Sequence, residues 1–179
     1  MLRITVPSGE IFDEATSTFT TTKETVLHLE HSLISISKWE SKHHKPFLKK
    51  QNGSYTQAEI IDYIRCMTIN NVSDNVYYVL TKQNIKEITD YINESRTASV
   101  LISPKVDNSR ETVTSELIYY WMISYNIPFE CERWHISRLL MLIRICSAKN
   151  SNGKTDRNAM LRNNRALNAA RRKRLGTRG

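Results

Sequence analysis

Leu2, Ile4 and Val6 alternate with Arg3 and Thr5, and a turn signal at Pro7, Ser8 and Gly9 leads into Ile11 and Phe12. This period of two predicts that the chain opens with a β-hairpin, which Thr18–Thr22 and Val26–Leu29 extend into a small sheet. Leu33, Ile36 and Trp39 then take helical spacing, which predicts a helix over Ser32–Lys42 that ends before Pro46. Thr56 and Glu59 form a capping-box pair ahead of Ile60, Ile64 and Met67. Further helices are predicted over about Ser73–Leu80 and after Thr81, the latter carrying Ile85, Ile88 and Ile92. No sustained period runs through Ser95–Ser109, which reads as a loop or a short strand at Val100–Ile102.

From Thr114 or Ser115 to Tyr125 the pattern is apolar all round the helix cylinder, which demands burial on every side, by the rest of the fold or by a partner. Asn126 and Pro128 end that helix. A long helix is predicted from about Glu130 to Ala148, with a narrow polar stripe of Arg133, Ser137 and Arg144, so that the two make a hydrophobic helical hairpin. Beyond Ser151, Asn152 and Gly153, residues 158–174 are rich in Ala, Leu, Asn and Arg. They are expected to order as a helix on a partner, because their basic side chains point in all directions and leave no apolar face.

Charge sharpens this division. The chain of 179 residues carries 26 basic and 18 acidic side chains, a net +8. From Lys154 onward, nine basic residues face only Asp156. The remainder is therefore balanced, with 17 of each sign, and the whole excess lies in the C-terminal extension. Its cluster Arg171, Arg172, Lys173 and Arg174, preceded by Arg165, suits capture of an acidic protein surface or of nucleic-acid phosphate. Aromatic residues interleaved with these arginines would favour single-stranded nucleic acid, and none are present.

Several chemistries lack support. The three cysteines, Cys66, Cys131 and Cys146, are expected to be free thiols. Cys131 and His135 share a helical face, but Cys146 lies 11 residues further on, roughly 16 Å at 1.5 Å per residue, too far to share an ion with them. No metal or cofactor is expected. No glycine-rich phosphate loop and no paired carboxylates in an apolar setting are visible, so an enzyme is not expected. The N-terminus lacks the apolar core of a signal peptide, and no apolar run approaches the roughly 20 residues of a membrane span. What survives is the aromatic concentration between Tyr119 and Trp134. Plain core packing competes with partner binding as its explanation.

The stretches Ser37–Lys42 (SKWESK), Lys45–Leu48 (KPFL), Ile61–Thr68 (IDYIRCMT), Ile118–Ile123 (IYYWMI) and Asn126–Cys131 (NIPFEC), with Trp134 and His135, and Arg165–Lys173 (RALNAARRK), resemble the tail assembly chaperones of long-tailed bacteriophages infecting Gram-positive bacteria. The resemblance spans nearly the whole chain and is weakest in 95–110 and 147–158. His43 or His44 stands where the family often carries an aromatic residue. Such a protein accompanies the tape measure protein before the tail tube polymerises, and the resemblance brings no catalytic residues with it.

The expectation is a mostly helical α+β protein, a short β-hairpin or small sheet packed on a helical bundle in residues 1–149, with a basic extension over 150–179. Tyr120, Trp121, Tyr125, Phe129 and Trp134 are the expected apolar anchors for a partner. Arg165, Arg171, Arg172, Lys173 and Arg174 are the expected basic arm. The resemblance implies the tape measure protein, and with it tail tube subunits, as partners in the host cytoplasm. A virion component of the tail or head-tail connector is the second reading, and an RNA- or DNA-binding regulator the third. No membrane partner is expected, and self-association is left open.

Overall fold

The computed structural model describes residues 1–13, 17–48, 55–99 and 112–150, together with Arg165, Ala166 and Asn168. Two compact units emerge, Met1–Met141 and Leu142–Gly179. The expected boundary at 149/150 lies inside the second unit, whose described residues are all helical. The first is an α+β unit dominated by helices, with a small N-terminal β region packed on them.

That β region is one two-stranded ribbon in two halves. β1 (Leu2–Val6) pairs antiparallel with β4 (Thr25–Leu29), and β2 (Gly9–Asp13) pairs with β3 (Thr18–Thr22). Val6 faces Thr25 and Gly9 faces Thr22, so Pro7 and Ser8 stand opposite Lys23 and Glu24 with no residue inserted on either side. Pro7 has no N–H to donate, and the ladder breaks there without losing register. No hairpin turn forms at Pro7, Ser8 and Gly9, where the local pattern predicts one. The chain instead runs on to Asp13 and returns from Thr18, and Ser17 takes a left-handed φ of 51°. The Thr22 hydroxyl bridges the break, accepting from the Gly9 N–H at 3.1 Å and donating to the Gly9 carbonyl at 3.0 Å. A Cβ on Gly9 would sit 2.7 Å from Val79 Cγ1, so this position admits only glycine without local rearrangement.

In the near half, Ile4, Val6, Leu27 and Leu29 are buried on one face, as their alternation requires. Both edges are covered. Asn84 Nδ2 donates to the Thr5 carbonyl at 3.0 Å, while the Asn70 side chain accepts from the His28 N–H and donates to the Val26 carbonyl, imitating a strand.

α1 (Leu33–His43) begins at the Ser32 cap and ends where His44 turns left-handed at φ 52°. α2 (Gln57–Met67) starts with the expected Thr56 and Glu59 capping box, and α3 (Lys82–Asn93) starts with a second box of Thr81 and Asn84. The segment expected as a helix near Ser73–Leu80 is a tighter 3-10 helix, Asp74–Val79. α4 (Ser115–Ser124) follows the Thr114 cap and stops at Asn126, which adopts a φ of 53°.

The long helix expected from Glu130 starts later. Phe129–Arg133 is a 3-10 helix, Trp134 is extended, and α5 occupies residues 136–150. The cause is tertiary: His135 forms an antiparallel bridge with Ser32, and the Ile136 N–H donates to the His31 carbonyl at 2.9 Å. An extended residue 135 cannot also be helical, so the bridge displaces the helix start.

Candidate functional site

α1 and α4 pack together, and their junction is built around one buried carboxylate. Glu40 Oε2 accepts from the Ser115 N–H in the first turn of α4 at 2.7 Å, while Oε1 accepts from the Phe47 N–H at 2.7 Å. A helix N-terminus offers unpaired N–H groups and a positive dipole end, which is why a carboxylate is stable there out of water. This clamp anchors the N-terminal end of α4. Ser115, Ile118 and Met122 turn inward and are buried.

The opposite side of α4 is open. Tyr120 is 63% exposed and Ile123 62% exposed. Phe129, on the following 3-10 helix, is 55% exposed, and its ring lies 6.4 Å from that of Tyr119. Tyr119 shares this side of the helix, and its hydroxyl donates to Glu132 at 2.8 Å. Burial, reinforced by Glu132, pushes the Tyr119 hydroxyl up to about 12, so it remains a neutral donor. Phe129, Tyr119, Ile123 and Tyr120 thus form an apolar strip, with Glu116 and Glu130 exposed on the same two elements.

The expected anchors divide accordingly. Tyr120 and Phe129 lie on the strip. Trp121 and Tyr125 are half-buried and, at 100° per residue, sit on the other flank of α4. Trp134 is half-buried beneath the Arg138 guanidinium, 4.0 Å above its ring. The five therefore do not make a single ridge. Ile123 belongs to the strip although it was not among the expected anchors. Its signal was plain, being three residues from Tyr120 in a helix with too many apolar side chains for one face.

Of the basic arm, Arg165 is helical and exposed; Arg171, Arg172, Lys173 and Arg174 lie outside the described residues. Cys66, Cys131 and Cys146 are free thiols. Among the described residues no group of three or more His, Cys, Asp or Glu side chains is placed to hold a metal, and no helix is long and apolar enough to cross a membrane. His135 is held otherwise: Nδ1 meets the Ser137 hydroxyl at 2.7 Å, and Nε2 meets the Tyr91 carbonyl at 3.1 Å. Its ring lies 5.0 Å from that of the buried His31, whose Nδ1 bonds the Tyr63 hydroxyl. Burial, reinforced by His135, lowers His31 to about 3, and burial lowers His135 as well.

A second apolar feature lies between α2 and α3. Ile60 and Tyr63 from one helix and Ile85, Ile88 and Ile92 from the other line a pocket of about 200 Å³, with Phe47 also in its wall. Phe47 stacks on Tyr63 at 4.0 Å and meets Trp39 edge-on at 5.3 Å, while His43 stacks on Trp39 at 4.4 Å. His43 therefore fills an aromatic position with its own ring. Glu59 at the pocket rim is bound by Lys45 at 2.9 Å, which with the Thr56 amide holds its carboxyl down at about 2. The two isoleucine series were legible as helix faces; the pocket arises because those two faces border one gap, which no local period records.

Comparison with protein-family models, with curated proteins and with solved structures finds no match to this chain.

Proposed function

We propose that this chain is a non-enzymatic phage tail assembly protein, a chaperone that shields apolar stripes of the tape measure protein in the host cytoplasm before the tail tube polymerises. The resemblance in its sequence motifs suggests the partner. The observation that carries the reading is the outer face of α4 and the 3-10 helix after it, where Tyr120, Ile123 and Phe129 remain in water although α4 already buries Ile118 and Met122. An amphipathic helical segment laid across such a strip removes apolar area from water on both sides, the usual helix-docking mode. Aromatic anchors supply most of the affinity in contacts of this kind.

The reading is tested by co-expressing the full chain with the cognate tape measure protein. The wild type is expected to keep the tape measure in the soluble fraction. A chain carrying Tyr120→Ser, Ile123→Ser and Phe129→Ser, all at exposed sites, is expected to fold and to lose that effect. Equal solubility with both chains, or none with either, refutes the proposal.

A further inference from the structure

The far half of the ribbon ends in an aromatic knob. Phe12 and Phe19 are directly paired across the strands with ring centroids 5.0 Å apart, yet they are 50% and 70% exposed. Phe19, Thr20 and Thr21 are all exposed, so this stretch of β3 has no buried face. The two strands rest on the 3-10 helix Asp74–Val79, but the pair of phenyl rings is held outside the fold, a cost that a docked surface would remove.

The molecule carries a matching socket. The α2–α3 pocket is almost wholly apolar, and its about 200 Å³ exceeds the roughly 150 Å³ cavity that takes up benzene, so it admits one phenyl ring. Charge agrees with shape. Glu10, which strand alternation puts on the same face as Phe12, is exposed, and residues 9–22 include no basic side chain. At the socket, Glu59 is neutralised by Lys45. On the α3 wheel the exposed Lys82 falls about 20° and Lys86 about 60° from the lining residue Thr89, with Asp90 and Glu87 turned further away.

We propose that Phe19 of one copy, with Phe12 packed beside it, seats in the α2–α3 pocket of a second copy and joins molecules head to tail. Knob and socket occupy different places on the same chain, so the contact is heterologous. Repeating it gives a ring if the rotation closes and a filament if it does not. This inference stands apart from the α4 strip and uses none of its residues.

Light scattering on the purified full chain across a concentration series tests it. Wild type is expected to grow beyond the monomer, and to do so less at high salt. Phe12→Ser with Phe19→Ser removes the knob, and Ile60→Glu or Thr89→Glu, both at exposed positions, obstructs the socket. Each is expected to leave a folded monomer by circular dichroism. Mixing a knob variant with a socket variant is expected to restore one contact and give dimers and nothing larger. Lys86→Glu is expected to weaken association roughly fivefold. A monomeric wild type overturns the proposal. So does association lost by the knob variant but kept by both socket variants, the mark of tips pairing with tips, and so does a mixture that stays monomeric.

Discussion

α1 and α4 lie against each other and use apolar residues in opposite ways. In α1, Leu33, Ile36 and Trp39 form one face, all three are wholly buried, and the far side carries Lys38, Ser41 and Lys42. In α4 the apolar residues exceed what one face can hide. Ile118 and Met122 are as completely buried as the α1 set, while Tyr120 and Ile123 are not. Hydrophobicity alone therefore does not decide burial in this protein. The Glu40 carboxylate anchors the N-terminal end of α4, Ile118 and Met122 take the buried side, and the remainder is left as surface.

The largest expected effect breaks the α1 side. Trp39→Ala removes the centre of the ring cluster and the Nε1–H bond to the Glu59 carbonyl, and is expected to cost about 3–5 kcal/mol, measured by urea unfolding. On α4, Met122→Ala is expected to cost about 2–5 kcal/mol, whereas Ile123→Ala, one residue away, is expected to change stability by less than about 1 kcal/mol. Similar losses at both positions would mean that α4 is buried all round and hides its apolar residues as fully as α1 does.

Acid probes the entry to α1. His31 is held near 3, below its ordinary value of about 6.5, so the unfolded chain takes up a proton that the folded chain refuses. The stability this provides is complete above about pH 6.5 and is lost as pH falls, by about 2 kcal/mol at pH 5 from His31 alone. Glu59 and Asp62, held below the carboxylate range by Lys45 and Lys42, keep their charge through this window. Unfolding midpoints that stay level from pH 7.5 to 5 would contradict the neutral, buried assignment of His31. The smallest stability effect is expected for Tyr120→Ser on the open side of α4, within about 0.5 kcal/mol.

Much of this was legible in the residues. The Thr56, Thr81 and Thr114 caps are local, and each starts its helix as its side chain dictates. Alternation at Leu2, Ile4 and Val6 marked a strand, but its partner was set by a return at Thr18 rather than by Pro7, because register depends on the far strand as much as on the near one. The start of α5 was misplaced for a related reason: the His135 bridge to Ser32 joins residues a hundred positions apart, which no local period records. Of the expected anchors, Tyr120 and Phe129 are exposed and Trp121, Tyr125 and Trp134 half-buried. A helix apolar on all sides does not announce which side faces out, since the choice rests with the elements packed on it, distant in sequence.

Hydroxyl-radical footprinting tests most directly whether the open side of α4 is where a partner sits, by following oxidation of single side chains in the chain alone and with the tape measure protein proposed as its partner. The account predicts that Tyr120 and Phe129 oxidise readily in the free chain and become protected in the mixture, while Trp39 stays unreactive in both. Oxidation of Tyr120 and Phe129 that is unchanged in a mixture shown to contain the complex would contradict it.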